Sequence, residues 1–189
     1  SKVLTEWLES NSLSYWKRRV VVRATGCEVS MSNFTAQIIT VSTRGAQGIR
    51  ADTSGEILFK AFTELGFVCS PNVIIPDGPE VATQIKAAVN SGHSLVVTTG
   101  GTGISPSDQT PEFTRGVIDR EVPGIAEAIR HYGRANGIST AALSRGIAGQ
   151  LDNSLVVNVP GSPGGAKDAA AVLGEIVIHA LEQIAGSDH

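Results

Sequence analysis

Two aspartates stand in unusual company. Asp108 lies in the run VVTTGGTGISPSDQTPE at 96–112, where three glycines fall within four residues (Gly100, Gly101, Gly103) ahead of a proline and a helix start. Asp77 lies in IIPDGPE at 74–80, at the end of another apolar run. Glycines let a backbone approach a ligand closely and take positive φ, and the exposed peptide N–H groups can hold phosphate oxygens. Thr110 as N-cap, Pro111 at the first helical position and Glu112 in the first turn predict a firm helix start, which puts Asp108 just before a positive helix end. A carboxylate there is either a cap, stabilising by on the order of 1 kcal/mol, or a metal-holding or substrate-orienting group. The second reading is preferred, because Thr110 already fills the cap and the glycine turn needs no acid.

The loop is not one of the standard nucleotide loops. There is no GxxxxGK[ST], and GTGISP is not GxGxxG. No lysine lies between Lys86 and Lys167, so a polyphosphate on the glycines would be met by backbone N–H groups, an arginine such as Arg145, and a divalent cation. Mg²⁺ is usually held by one or two carboxylates plus substrate phosphates. Asp77 is the obvious second carboxylate.

The elements that must position these groups alternate between strand and helix. AQIITVS (36–42), FVCSPNVII (67–75, kinked at Pro71), SLVVTT (94–99) and SLVVNV (154–159) read as strands. TSGEILFKAFTEL (53–65), PEVATQIKAAVN (79–90), stretches near 111–119 and 124–134, and about 165–185 carry apolar residues at helical spacing. Residues 139–151 read as a variable region, and PGSPGG at 160–165 as a turn. The pattern predicts an α/β fold, a three-layer sandwich with a mostly parallel central sheet flanked by helices. Ligands bind such sheets beyond the carboxyl ends of the strands, so the loops STRGAQGIRADTSG, IPDGPE, TTGGTGISPSDQTPE and VPGSPGG could share one crevice.

Composition narrows the class. The 189 residues suit one main domain; 41% are apolar and 17% charged, and the sequence pI is near 5.8, which leaves no broad basic surface for nucleic acid. Residues 1–30 differ: Lys2, Lys17, Arg18, Arg19 and Arg23 outnumber Glu6, Glu9 and Glu28, giving net +2 and leaving −5 for 31–189. They read as an N-terminal extension, with the main domain starting near Met31. Two cysteines, Cys27 and Cys69, form no CxxC, so neither a disulfide framework nor structural zinc is indicated and the cytosol is the expected compartment. No run approaches the roughly 18 apolar residues of a membrane span.

The run GGTGISPSDQTPE, with IIPD before it, DTSG at 52–55, LSR at 143–145 and NVPGSP at 158–163, resembles the molybdopterin-binding domain family of molybdenum cofactor biosynthesis over about residues 36–185. Within it the likeness is greater to the molybdopterin adenylyltransferase branch (Mog, the Cnx and gephyrin G domains) than to the related MoaB branch, in part non-catalytic. The resemblance implies that molybdopterin is activated by Mg-ATP, giving adenylylated molybdopterin and pyrophosphate. It carries the family's two key aspartates onto Asp77 and Asp108, as Mg²⁺ and positioning groups. It assigns Gly100, Gly101, Thr102 and Gly103 to the nucleotide, and Ser144, Arg145, Pro160, Gly161 and Ser162 to the pterin and its phosphate. It also implies a homotrimer and a molybdate-inserting partner enzyme. Alternatives are a non-catalytic molybdopterin-binding protein and a generic sugar- or nucleotide-phosphate binder.

Other groups carry plainer readings. Asp52-Thr53-Ser54-Gly55 is foremost an N-cap and tight first turn. His93, His131 and His179 lack metal spacing and read as structural or exposed. Asp119-Arg120-Glu121 reads as local ion pairing or subunit contact, Arg130 and Arg134 as a solvated helix face, and Lys17-Arg18-Arg19 as an exposed patch.

Overall fold

Every residue of Leu95–Thr99 and Ser154–Val159 is buried, as parallel strands covered on both faces must be. The computed structural model describes residues 34–48 and 51–186; the extension read at 1–30 and the boundary near Met31 lie outside the described residues. The chain runs β1 (Thr35–Val41), α1 (Thr43–Ala46), α2 (Thr53–Glu64), β2 (Val68–Cys69), β3 (Val73–Ile75), α3 (Glu80–Asn90), β4 (Leu95–Thr99) and α4 (Thr110–Arg115). It continues through β5 (Arg120–Glu121), α5 (Pro123–Ala135), a 3₁₀ turn (Ser139–Leu143), β6 (Ala148–Leu151), β7 (Ser154–Val159) and α6 (Pro163–Ile184).

The sheet has the order β2-β1-β4-β7-β6-β5, with β3 also paired to β1. Pairings among β1, β2, β3, β4 and β7 are parallel, and β6 runs antiparallel to both β7 and β5. Alternation sorts the side chains to two faces. Ile38, Val97 and Val157 join Leu58, Phe62, Ile129, Leu173 and Leu181 beneath α2, α5 and α6. Ile39, Val96 and Val156 join Val81 and Ile85 beneath α3, with Phe113 of α4 at the margin. The result is the expected three-layer α/β sandwich. Burying one such side chain is favourable by about 1.5–3 kcal/mol.

Local chemistry sets the element ends. Asp52 caps α2, its Oδ1 accepting from Gly55 N–H at 2.8 Å while Oδ2 accepts the Thr40 hydroxyl at 2.7 Å. That ties the start of α2 to the carboxyl end of β1, as the DTSG reading requires. The kink expected at Pro71 splits one strand into β2 and β3. The buried Gln37 amide spans the break, donating to Pro71 O at 2.9 Å. His93 is structural: Nδ1 donates to Ala88 O at 2.9 Å, which leaves Nε2 to accept the Ser70 hydroxyl at 2.8 Å.

Four expectations change. The helix sought at 111–119 ends at Arg115, after which β5 pairs with β6. The variable region 139–151 holds the 3₁₀ turn and β6. The last helix begins at Pro163 rather than 165, because Ser162 Oγ caps Gly165 N–H at 3.1 Å and Pro163 has its φ already fixed for a first helical turn. The N-cap of α4 is Gln109, not Thr110, whose side chain is turned into the interior. Among the described residues, no helix is long and apolar enough to cross a membrane.

Candidate functional site

The loops after β4 and β7 emerge side by side and are stitched together. Gly100 N–H donates to Val159 O at 3.1 Å, and the Thr99 hydroxyl donates to Pro160 O at 3.0 Å. A Cβ on Gly161 would lie 2.9 Å from Gly100 Cα, so the two backbones touch. With the loop after β1 and the segment following α5, they enclose a cavity of about 580 Å³, a size suited to one small-molecule ligand. Gly100, Gly101, Thr102, Gly103, Asp108, Ser144, Pro160, Gly161 and Ser162 line it. The N-terminal ends of α2 and α6 open into it through Thr53, Ser54, Gly164 and Gly165, and such ends favour anions.

The two aspartates meet on the glycine loop. Both carboxylate oxygens of Asp77 accept from Gln109 N–H at 3.2 Å, so Asp77 sits against the peptide that follows Asp108. A Cβ on Gly101 would fall 2.1 Å from Asp77 Oδ2 and 2.2 Å from Thr110 Oγ1, and Gly101 has φ +60°. A Cβ on Gly103 would fall 2.7 Å from Asp108 Oδ2. These glycines are the room into which the carboxylates fit.

Partial burial raises the Asp77 carboxyl above the ordinary aspartate range; the Gln109 N–H draws it down, and the negative charges of Asp108 and Glu112 push it up. Asp108 also has a local bond, accepting Ser105 N–H at 3.0 Å. Neither acid caps a first-turn N–H of α4: Asp77 holds the N–H of Gln109 itself, and Thr110 Oγ1 is buried without a partner.

Two expected residues lie elsewhere. Asp77 backs the loop without lining the cavity, and Arg145, expected at the pterin, lines a shallower depression with Ile104, Glu112 and Phe113. Its guanidinium is spent on the protein, with Nε donating to Gly103 O at 2.6 Å, Nη2 to the Asp108 carbonyl and Nη1 to Glu112. Glu112 feels desolvation that would raise its pKa, yet its own backbone N–H and Arg145 hold it below the usual glutamate range.

Arg130 is not on a solvated face: it is half-buried, lines the cavity, and donates to the carbonyls of Ser144 at 3.3 Å and Gly146 at 3.0 Å. Sequence reasoning missed it, as it missed Asp168 and the apolar wall of Ile129, Ile138 and Leu143. Asp119 accepts Asp152 N–H and Glu121 pairs with Arg115 at 2.6 Å, local pairing as read.

Among the described residues there is no cluster of three or more metal-ligating side chains. The chain offers instead a pair of carboxylates beside exposed amides. That sparse donor set fits Mg²⁺, which keeps waters and takes substrate phosphates as its remaining ligands.

The strand ends of this parallel sheet gather a lysine-free glycine loop, two helix N-termini and Asp108 around one cavity, with Asp77 behind the loop, an arrangement of an α/β protein suited to an anionic small molecule. Residues 37–181 match the family described as "Probable molybdopterin binding domain", and the chain belongs to that family. It is 32% identical over 176 residues to a molybdenum cofactor biosynthesis bifunctional protein of Synechococcus elongatus, covering 93% of this chain and 55% of that one. The chain spans about half the length of the bifunctional relatives it matches. It is 33% identical over 153 residues to the molybdopterin adenylyltransferase of Pyrococcus furiosus, covering 79% and 90% of the two chains. The solved molybdopterin biosynthesis Mog protein of Mycobacterium ulcerans superposes with a TM-score of 0.75 at 44% identity, over 80% of this chain and 99% of that one.

Proposed function

We propose that this chain adenylylates molybdopterin, using ATP and releasing pyrophosphate in the course of molybdenum cofactor biosynthesis. The observation that carries the reading is the meeting of Asp77 and Asp108 on the glycine loop, with Asp108 in the cavity wall and Asp77 behind the loop. The nucleophile is a phosphate anion and needs no base, so the task is to bring two anions together in line and to hold charge on the leaving pyrophosphate. Backbone N–H groups of Gly101–Gly103 and the open ends of α2 and α6 hold and orient the anions. The apolar wall at Ile129, Ile138 and Leu143 and the prolines at 160 and 163 exclude water from the bound pair. Asp77 and Asp108 are the residues that would hold Mg²⁺, whose contribution when bound is to neutralise phosphate charge.

The test is pyrophosphate release from ATP that requires both molybdopterin and Mg²⁺. Asp108→Asn should cut it by about 100-fold or more, since it removes a carboxylate that positions charge in the transition state. Folded wild-type protein that releases no pyrophosphate with authentic substrate overturns the proposal. A second reading, a carrier that binds molybdopterin without adenylylating it, is favoured by the raised Asp77 carboxyl and its engagement with Gln109. Calorimetry separates them: the carrier binds the pterin with no affinity for Mg-ATP, and Asp108→Asn leaves its binding intact.

A further inference from the structure

Arg145 has three side-chain acceptors on one loop and its extension. Nε serves the carbonyl of Gly103, Nη2 that of Asp108, and Nη1 the carboxylate of Glu112. Its own peptide N–H donates to Thr102 O at 2.8 Å. Gly103 and Asp108 are the two feet of an arch, closed internally by Asp108 N–H to Ser105 O at 2.9 Å and Ser105 N–H to Asp108 Oδ2 at 3.0 Å. The guanidinium therefore spans the arch at its base. From behind, Arg130 donates to the carbonyls of Ser144 and Gly146, the residues on either side of Arg145. Each nitrogen of the Arg145 fork thus has an acceptor within the protein, and the residue is absent from the lining of the cavity formed by Gly100–Gly103, lining instead a more open depression that it shares with Asp108.

We infer that Arg145 is a positioning residue that fixes the Gly103–Asp108 arch, and with it the aim of the Asp108 carboxylate, and that it does not bind the substrate. An arginine suits this task because its planar fork reaches three acceptors at once, whereas a lysine is a single point donor. The kinetic part of the test rests on the proposed transferase reading. The exchange part does not.

Amide hydrogen exchange on the free protein is measured for wild type, Arg145→Gln and Arg145→Lys. The expected result is that amides in 103–109 exchange about tenfold faster or more in Arg145→Gln, while those of Leu95–Thr99 keep wild-type protection. Arg145→Lys should fall between. With substrates, Arg145→Gln should keep its molybdopterin Kd within about twofold and lose about 10–100-fold in pyrophosphate release, the usual cost of removing a group that orients a ligand-holding residue.

Unchanged exchange at 103–109 overturns the inference, and so does faster exchange spread over Leu95–Thr99. A molybdopterin Kd weakened tenfold or more overturns it too and makes Arg145 a substrate contact. Should the wild type show no transferase activity, the exchange result still decides the role of Arg145.

Discussion

Gly101→Ala puts a methyl group where the structure has two oxygens. The new Cβ would fall 2.1 Å from Asp77 Oδ2 and 2.2 Å from Thr110 Oγ1, so each must retreat by about 1 Å to reach ordinary contact. The backbone at φ +60° adds roughly 1–2 kcal/mol for a residue with a Cβ. In a domain of this size that lowers the melting temperature by about 2–8 °C, and the protein stays folded.

Turnover should suffer more. Displacing a positioning group by about 1 Å can cost on the order of 100-fold, about 2.7 kcal/mol at 1.36 kcal/mol per decade. The assay is pyrophosphate release with molybdopterin and Mg-ATP, read beside thermal denaturation of the same preparation. Release within about twofold of wild type would refute the reasoning, because Asp77 could then move freely without consequence. Loss of folding would refute it differently, by showing that the glycine serves the core.

The raised Asp77 carboxyl has two consequences. Pyrophosphate release should fall on the acid side at a pH above the ordinary aspartate value of about 3.9. Because the folded pKa lies above the unfolded one, proton uptake favours the fold: this stabilisation is present below the unfolded value and is lost as pH rises through the folded one. Asp77→Asn, which imitates the protonated form, should therefore melt above wild type at pH 7, with the gap closing toward about pH 3–4; a wild type more stable at pH 7 contradicts this. Asn158→Ala removes donors held at 2.9 Å by the buried hydroxyls of Thr98 and Thr114. It should cost about 1–3 kcal/mol in urea denaturation through those stranded groups, and a cost under about 0.5 kcal/mol would show that they find other partners.

What the sequence made legible follows from where its signals are local. Strands β1, β4 and β7 are apolar at successive positions because both faces are covered, and α3 repeats Val81, Ile85, Ala88 and Val89 on one face. The glycine loop and both aspartates were visible as types that serve no core purpose. The antiparallel arm was not: β5 is two residues, Arg120 and Glu121, both exposed, and β6 reads AGQL, so neither carries an alternating pattern. The start of α4 escaped because Thr110 is buried, and Gln109, which precedes it, is held by Asp77 from 32 positions upstream. Arg130 and Arg145 looked like solvated or ligand-facing charges, since their acceptors are backbone carbonyls that only the folded chain brings within reach.

The pairing of Thr98 with Asn158 in the sheet, and the bond between their side chains, decides more than stability. Leu95, Val96 and Val97 face Leu155, Val156 and Val157, and aliphatic neighbours of this kind would fit almost as well one place along. Their oiliness therefore carries little information about alignment. A slip of one residue moves a strand by roughly 3.3 Å, which would part the Asn158 amide from the hydroxyls of Thr98 and Thr114 that it meets at 2.9 Å. The amide acts as a key in an otherwise degenerate code. By penalising misalignment at the last rungs, it ensures that Gly100 and Gly161 leave the sheet level with one another.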